Sequence, residues 1–345
     1  MPPALIHQYV DRRTGELRDE KLYSDRFIRW LYGPAREHAP TLFEAMVGAG
    51  ATRALGLLNY DASLGSRLAG NERFLKELGV DLSECVLPRE QLDTARKVFE
   101  RQIRYEELRP MPADEACVLC PADARVLVGS FEGGDPLFIK EKFFSYTELL
   151  GVDADRWLNA FAGGDFAVFR LTPDKYHYNH SPVSGAVVDF YEVDGAFHSC
   201  NPGAVVEVVT PYSKNRRHVT VIDTDVPGGT GVGLVAMIEV VAMMIGQIVQ
   251  CYSARGYEDP KPMAPGLFIE RGRPKSLYRP GSSTDIVILQ KGRATFAEDL
   301  VANLARPASS RFSAGFGQPL IETDVAVRSP LAWRRAGDGA QGGTR

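Results

Sequence analysis

The sequence predicts an α+β protein, with a mainly helical N-terminal region at residues 1–110 and a β-rich body at residues 111–335. In the first region, apolar side chains recur three and four positions apart, as on one face of a helix, within residues 25–32, 39–46, 71–78 and 89–105. From about Cys117 the pattern changes to short apolar runs divided by Gly, Pro and Asp, which is typical of strands joined by turns.

The composition is that of an ordinary globular chain. It has 345 residues, of which 44% are hydrophobic and 24% charged. The formal net charge of −4 argues against a broad nucleic-acid-binding surface. Five cysteines, an odd number, fit reduced thiols better than a disulfide framework. Since no basic segment followed by a long apolar run opens the chain, we expect no signal peptide and a cytoplasmic protein, with peripheral attachment to the inner membrane as a further option.

Two apolar stretches raise the question of membrane contact. Residues 45–58 are small and apolar with one charge, Arg53, and fit either a helix packed on the core or an amphipathic surface on lipid. Residues 232–249 are rich in Val, Met and Ile, but Glu239 lies in their middle, where a carboxylate inside a bilayer is costly. We therefore expect buried strands there. The Gly-rich residues 336–345 are expected to form a flexible tail.

His177 and His180 are two of only six histidines, and they lie three residues apart in a turn-prone stretch. A pKa near neutrality suits them to general acid–base chemistry, although two solvated loop histidines are the simpler interpretation. A zinc site is less favoured, because no nearby Cys or carboxylate completes a ligand pattern. Asp123 either caps a turn or orients a histidine, and spacing does not choose between these roles.

Two other motifs have simple structural explanations. Cys117 and Cys120 form a CxxC pair, but without a second pair or a thioredoxin-like unit we interpret them as small apolar residues. Residues 227–233 are Gly-rich yet lack the Lys-Ser/Thr ending of a phosphate-binding loop, so a plain loop is favoured.

An ordered series of motifs resembles the bacterial branch of the phosphatidylserine decarboxylase family along most of the chain. Residues 171–185 read Leu-Thr-Pro-Asp-Lys-Tyr-His-Tyr-Asn-His-Ser-Pro-Val-Ser-Gly, similar to the family's Leu-x-Pro-x-x-Tyr-His-Arg-x-His-x-Pro-x-x-Gly. The family's Ser-Pro-x-Asp-Gly is matched by Cys-Pro-Ala-Asp at residues 120–123, and its closing Arg-Pro by residues 109–110. Further segments match the family in the same order along the chain, at residues 9–17, 30–32, 139–151, 199–202, 215–216 and 239–246.

The resemblance implies a helical N-terminal region before a β-rich catalytic domain, in an enzyme that is made as one chain and cuts itself. A serine hydroxyl attacks the preceding carbonyl, and the downstream chain then begins with a pyruvoyl group. This ketone acts as the electron sink in converting phosphatidylserine into phosphatidylethanolamine and CO2. The resemblance assigns serine activation to Asp123 and His180, proton delivery during decarboxylation to His177, and substrate binding to Tyr176 and Tyr178.

Two serines compete for the position of self-cleavage. On composition alone, Ser282, Ser283 and Thr284 predict a polar turn before the strand-like residues 286–289. An ungapped match to the family's Ser-Thr places the pyruvoyl group at Ser283, with the cut after Ser282. A requirement for Gly before the cut selects Ser282 instead, because Gly281 eases the strained backbone of an acyl shift. We favour Ser283.

Several positions depart from the family pattern, namely Ala124, Tyr178, Val241 and Pro280. They keep two other hypotheses open: a pyruvoyl-dependent decarboxylase of a free or specialised amino acid, and an uncleaved, non-catalytic binding protein. The lead hypothesis predicts peripheral membrane contact through residues 25–70. The resemblance also implies that the two cleaved chains stay associated, and it allows a homodimer.

Overall fold

The computed structural model describes residues 6–22, 31–32, 36–39, 41, 44, 79–132, 144–151, 155–207, 211–242, 247–280 and 283–335. Their strands are β1 Gln8–Asp11, β2 Leu17–Asp19, β3 Cys117–Leu119, β4 Ala124–Ser130, β5 Asp165–Leu171, β6 Tyr178–His180, β7 Gly185–Val193, β8 Arg217–Asp223, β9 Leu234–Val241, β10 Ile248–Gln250, β11 Phe268–Ile269, β12 Pro274–Tyr278, β13 Ser283–Leu289, β14 Ala294–Phe296, β15 Glu322–Val325 and β16 Pro330–Arg334.

The described helices are short. They are α1 Arg36–His38, α2 Ala95–Phe99, α3 Tyr105–Leu108, α4 Tyr146–Leu149, α5 Asp155–Phe161, α6 Pro202–Glu207, α7 Pro211–Lys214, α8 Glu298–Asn303 and α9 Arg311–Phe316, with 3-10 turns at Leu82–Glu84 and Arg89–Gln91. Side-chain oxygens cap several of them, as where the Ser310 hydroxyl accepts from the first N–H groups of α9.

A ten-stranded sheet in the order β11-β7-β8-β9-β13-β5-β4-β15-β1-β2 forms the centre of the molecule. Neighbouring strands run antiparallel, except that β1 and β15 are parallel. Strand β13 is deeply placed, with seven residue pairs to β9 on one side and seven to β5 on the other. Two three-stranded sheets, β10-β12-β6 and β14-β16-β3, complete the strand framework.

Apolar side chains cover both faces of the large sheet. Alternate residues of a strand point to opposite faces, so Val287 and Leu289 of β13 join one hydrophobic cluster while Ile286 and Ile288 join the other. A strand buried on both faces needs a continuous apolar run, which explains the composition of residues 286–289.

The predicted α+β class is confirmed, but the start of the chain differs from the predicted helical region. β1 and β2 form a hairpin, and β1 joins the large sheet through β15. A pairing between residues more than 300 positions apart leaves no trace in a local apolar spacing. Within residues 89–105 the structure has the turn Arg89–Gln91 and the short helix α2 rather than one long helix.

The two apolar stretches have different outcomes. Residues 232–249 contain the buried strand β9, as predicted. Among the residues described here, no helix has the length and apolar character needed to cross a bilayer. Residues 45–58, most of the other predicted helices before residue 79, and the predicted tail at 336–345 lie outside the described residues.

Candidate active site

One end of the large sheet brings together segments that are far apart in the sequence. Ser283 begins β13 and pairs with Leu171 at the end of β5 and with Val241 at the end of β9. Asp123 immediately precedes β4, which pairs antiparallel with β5. Because neighbouring antiparallel strands alternate in direction, these four positions lie at the same end of the sheet.

The small sheet β10-β12-β6 carries the histidine motif to this end. Tyr278, at the end of β12, links the two sheets. Its N–H donates to the carbonyl of His177 over 3.0 Å, and its hydroxyl donates to the carbonyl of Thr284 over 3.0 Å. One residue, Tyr278, therefore connects the histidine motif to Thr284, the residue that follows Ser283.

Ser283 has a hydroxyl group that could act as a nucleophile. Its side chain is buried, and its Oγ has no hydrogen-bond partner among the described residues. A buried hydroxyl without a partner is costly, so its presence at a strand start points to a use other than stability. Gly281 and Ser282, on the other side of the predicted cut, lie outside the described residues.

His177 is fully buried, not solvated in a loop. Its Nδ1 lies 2.7 Å from the Lys175 carbonyl, which only accepts, so Nδ1 carries the proton and Nε2 presents a lone pair. Nε2 is buried and has no partner in the described part of the chain. Burial, aided by the Arg101 charge, lowers the pKa of His177 to about 3, so the ring is neutral at neutral pH.

The His177 ring also has a fixed orientation. It stacks on Phe99 of α2, with ring centroids 3.6 Å apart. The stacking and the bond to Lys175 together aim Nε2 in one direction, as expected of a group that must meet a reacting atom.

His180 is equally buried, but both of its ring nitrogens have partners. Nδ1 lies 2.9 Å from the carbonyl of Gly272, and Nε2 lies 2.9 Å from the hydroxyl of Tyr176. Its backbone N–H donates to the carbonyl of Pro121 over 2.7 Å, which places it beside the segment that carries Asp123. Burial lowers the pKa of His180 to about 3.

Asp123 is held by a cation instead of by either histidine. Arg109 donates to both carboxylate oxygens at 2.9–3.3 Å, and the N–H of Val327 donates at 2.7 Å. Burial alone would raise the pKa of Asp123, but the Arg109 guanidinium holds it below the usual value. Because both nitrogens of His180 are occupied by other groups, Asp123 acts on that ring through its charge.

Asp123 and Arg109 border an open cavity of about 460 Å³. Arg12 and Lys175 also line it, together with the acidic side chains Asp11, Glu84 and Asp324. The mixed charge of this wall suits a polar ligand group rather than an acyl chain.

The two tyrosines of the motif differ in their contacts. The Tyr176 hydroxyl is buried and bonds both His180 and, over 2.7 Å, the hydroxyl of Tyr257. The Tyr178 hydroxyl accepts from the Gln102 amide over 3.3 Å. Their rings stack with centroids 5.5 Å apart.

Sequence reasoning missed several residues of this site. Arg109 was within a motif but had no role, and nothing local connects Tyr257 to the histidines. Asp285 and Glu239 are paired neighbours on β13 and β9, and both are buried two positions along their strands from the Ser283–Val241 pair. For Asp285 the sequence did offer a signal, since an acidic residue stands there between Thr284 and the apolar run at residues 286–289.

The remaining predicted motifs are structural. Cys120 is buried in a hydrophobic cluster, and Cys117 is buried in β3. In the described chain, three side chains of metal-ligand type lie together: His7, Glu20 and Glu322. Arg170 donates hydrogen bonds to both glutamates. Two guanidiniums pair with these two carboxylates, since Arg170 contacts both and Arg125 also contacts Glu20.

Comparison with known proteins gives the class of the chain. Residues 95–313 match the family model described as phosphatidylserine decarboxylase. The phosphatidylserine decarboxylase proenzyme of Fusobacterium nucleatum subsp. nucleatum is 24% identical over 313 residues, covering 89% of this chain and 95% of that one. The proenzyme of Bordetella petrii is 31% identical over 239 residues, covering 66% and 79%. Proenzyme 2 of Oryza sativa subsp. japonica is 30% identical over 240 residues, covering 68% and 35%.

These matches indicate an enzyme of the carboxy-lyase class whose relatives are named as proenzymes. The chain belongs to the phosphatidylserine decarboxylase family.

Proposed function

We propose that this protein is a self-processing, pyruvoyl-dependent decarboxylase that converts phosphatidylserine into phosphatidylethanolamine and CO2. The observation that carries the proposal concerns the buried Oγ of Ser283, at the sheet end that also holds Asp123 and the histidine motif. This Oγ has no hydrogen-bond partner among the described residues. Family membership and the names of the relatives support the substrate.

Self-cleavage needs a nucleophile, a place for its proton and a fixed backbone. Ser283 is the proposed nucleophile, and neutral His180 is the proposed base. The negative charge of Asp123 stabilises a protonated His180, because opposite charges favour the charged form of a base. The fourteen residue pairs of β13, seven to each neighbouring strand, hold the backbone after the cut in place.

The site fits a pyruvoyl group at position 283. The Ser283 side chain is buried, so a ketone formed there is shielded from water, and within the described part of the chain no hydrogen bond to Oγ is lost when the serine is converted. When present, the group supplies an electron-accepting ketone for the carbon from which CO2 leaves.

His177 is proposed to move the substrate's proton. Its Nε2 is buried and has no hydrogen-bond partner among the described residues, so no other group competes for the proton that it would carry. The same Nε2–H then returns the proton to the carbon that has lost its carboxylate, since Nδ1 stays bonded to Lys175 throughout. Tyr178 is the proposed substrate contact, because the hydrogen of its hydroxyl is not used in its bond from Gln102.

Because the proposed substrate is a lipid, we infer that the protein works at a membrane surface in the cytoplasm. The segment that the sequence assigns to this contact, residues 25–70, lies mostly outside the described residues.

The decisive measurement is the intact mass of the purified protein under denaturing conditions. The proposal expects two chains, the smaller one with 63 residues (345 − 283 + 1) and a pyruvoyl-blocked start. Ser283→Ala should remain a single chain of 37.9 kDa, whereas the matched control Ser282→Ala should still cleave. An uncut wild-type chain after long incubation with lipid contradicts the proposal.

The substrate is tested separately by CO2 release. Cleaved protein should decarboxylate phosphatidylserine in mixed detergent micelles and leave free serine unchanged. Turnover of free serine with no turnover of the lipid would keep the chemistry and reject the substrate.

A further inference from the structure

Arg101 is a buried cation close to the histidine motif. Only 6% of its surface is exposed. One terminal nitrogen donates to the carbonyl of Val98 over 3.0 Å, and the other donates to the carbonyl of Asp174 over 2.8 Å. Its Nε is buried and has no acceptor among the described residues. Because a guanidinium has five N–H groups, more than half of these donors lack an acceptor within that part of the chain.

No carboxylate of the described residues forms an ion pair with Arg101. Asp123, Glu84 and Asp174 act on its charge from a distance. Two of these acids, Asp123 and Glu84, are paired with Arg109 instead. Burial lowers the pKa of Arg101, the direction expected of a cation without a counter-ion. A buried charge is costly unless it is paired, so an anion that bound here would be stabilised.

Arg217 shows how the same protein satisfies a buried guanidinium with backbone alone. Its three nitrogens donate to four carbonyls, those of Leu149, Ser213, Asn215 and Glu148. Every nitrogen of Arg217 therefore has a partner, as expected of a structural role. Arg101 differs, because its Nε has none in the described part of the chain.

Adjacent residues hold Arg101 and His177. The carbonyl of Asp174 accepts from Arg101, and the carbonyl of the next residue lies 2.7 Å from Nδ1 of His177. Neighbouring Cα atoms are about 3.8 Å apart. Phe99, two residues before Arg101, stacks on the His177 ring. The guanidinium and the imidazole are therefore neighbours, and each has a buried nitrogen with no partner among the described residues.

The proposed substrate carries an anion that must come close to His177. In the proposed function, Nε2 of His177 returns a proton to the carbon that has lost its carboxylate. In phosphatidylserine, only a CH2 group and an ester oxygen separate that carbon from the phosphorus atom. When the carbon lies at His177, the phosphodiester is therefore within reach of a side chain that adjoins His177.

The substrate has a second anion, its carboxylate, but that group suits Arg101 less well. The carboxylate leaves as neutral CO2, so a cation bound to it would stabilise the substrate more than the transition state and slow the reaction. The phosphodiester keeps its charge from start to finish. A cation can therefore hold it without opposing the chemistry.

We propose that Arg101 binds the phosphodiester of phosphatidylserine and thereby favours the lipid over a free amino acid. An arginine suits this role, since its planar fork of donors matches phosphate oxygens. The proposal rests on the proposed function, because it takes His177 as the group that meets the reacting carbon. Arg101 is not among the site residues predicted from the sequence.

Arg101→Met removes the charge and keeps a long side chain. In cleaved enzyme assayed by CO2 release, the KM for phosphatidylserine should rise by about 10- to 100-fold, the usual effect of losing a hydrogen bond to a charged group. The kcat should stay nearly the same, because the phosphodiester is bound equally in the substrate and in the transition state. Arg101→Lys should recover part of the loss, since it keeps the charge but not the fork.

The matched control is Lys97→Met on the same helix. It also removes a cation, but Lys97 is half exposed and is paired with Asp93 over 2.7 Å. Its KM for phosphatidylserine should stay within about twofold of that of wild type. An equal rise of KM in both variants would show a general effect of charge at the micelle surface and contradict a specific role of Arg101.

A second readout does not depend on turnover. Calorimetry compares the binding of glycerophosphoethanolamine, which has the phosphodiester but no carboxylate or acyl chain, with that of ethanolamine. Wild type should bind the phosphodiester at least about 10-fold more tightly, and Arg101→Met should remove the difference. If Arg101→Met does not fold, Arg101→Lys and the wild-type comparison of the two ligands decide instead. Equal binding of both ligands by wild type overturns the proposal.

The outcomes separate this proposal from the proposed function. If wild type cleaves and turns over the lipid while Arg101→Met has an unchanged KM, the role of Arg101 is wrong and the proposed function stands. A changed kcat at constant KM would point to the carboxylate and also overturn the role. If wild type never cleaves, the proposed function falls, and calorimetry on the uncut protein alone decides whether Arg101 binds the phosphodiester.

Discussion

Asp285 lies two residues beyond Ser283 on β13, and the alternation of the strand places both side chains on one face. It is fully buried, and only one of its oxygens, Oδ1, has a partner among the described residues, the hydroxyl of Tyr278 at 2.7 Å. Burial raises the pKa of Asp285 well above its usual value, and the neighbouring charge of Glu239 raises it further. Asp285 therefore holds its proton to higher pH in the folded protein than in the unfolded chain, and it does so beside the predicted cut.

The raised pKa has a consequence for stability. Below about pH 4, the usual pKa of Asp, the folded and unfolded chains both hold the proton. At higher pH the unfolded chain releases the proton and the folded chain keeps it, so the folding free energy becomes less favourable as pH rises. Asp285→Asn keeps the shape and removes this titration. Relative to the unfolding free energy of its parent, that of the variant should therefore rise by up to about 1.4 kcal/mol per pH unit above pH 4.

This prediction is checked by urea unfolding from pH 4 to 8, with Ser283→Ala as the parent so that a single chain unfolds. Asp194→Asn is the control, because that carboxyl is almost fully exposed. A difference between Asp285→Asn and its parent that stays constant with pH contradicts a raised pKa at this position.

At the scale of elements, a buried ion pair joins the large sheet to the small one. Lys275 of β12 donates to Glu239 of β9 over 2.8 Å, and both side chains are completely buried. Ser276 and Gln250 also donate to this carboxylate. Burial alone would raise the pKa of Glu239, but the Lys275 ammonium holds it below the usual value. The pair thus fixes the sheet that carries His180 against the sheet that carries Ser283.

Lys275→Met should cost about 3–5 kcal/mol of unfolding free energy, because it leaves the Glu239 charge buried without its cation. Adding Glu239→Gln should recover most of that loss, since the double variant has no buried charge at this position. Both are measured by urea unfolding with Ser283→Ala as the parent. Lys291→Met is the matched control, because its pairing with Glu132 is exposed and is expected to contribute less than about 1 kcal/mol. Equal losses in the single and double variants would contradict the argument.

At the scale of the whole molecule, the predicted cut divides the chain into two interwoven pieces. The smaller piece contributes β13 between β9 and β5, and β15 between β4 and β1. A buried cluster of charges adds to this: Arg170 of β5 bonds Glu322 of β15 at 2.6 Å, and His7 bonds the same carboxylate at 2.8 Å. The smaller piece is therefore held from both sides at two places in the sheet.

We expect the two pieces to stay together after self-cleavage. Size-exclusion chromatography of cleaved wild type should give one peak that contains both chains, and the peak should elute with uncut Ser283→Ala. Only denaturant should separate them, because separation breaks the pairing of two interior strands. A 63-residue chain that elutes alone under native conditions would show that the topology does not hold the product together.

The sequence by itself determined the family, the α+β class, and the segments that hold Asp123, His177, His180 and Ser283. It did so because the motifs are contiguous, and because an apolar run or a spacing of three and four reports on residues that are near in the chain. The apolar run at residues 286–289 was enough to predict a strand.

Only the tertiary structure decided which groups meet. Tyr176 and Tyr257 are 81 residues apart, and His7 and Glu322 are 315 apart, so no local pattern relates them. The strand at Gln8–Asp11 depends in the same way on β15, at the other end of the chain. The tertiary structure also decided the direction of the pKa shifts. The pKa of a histidine or an aspartate depends on burial and on neighbouring charges, which the path of the chain brings together.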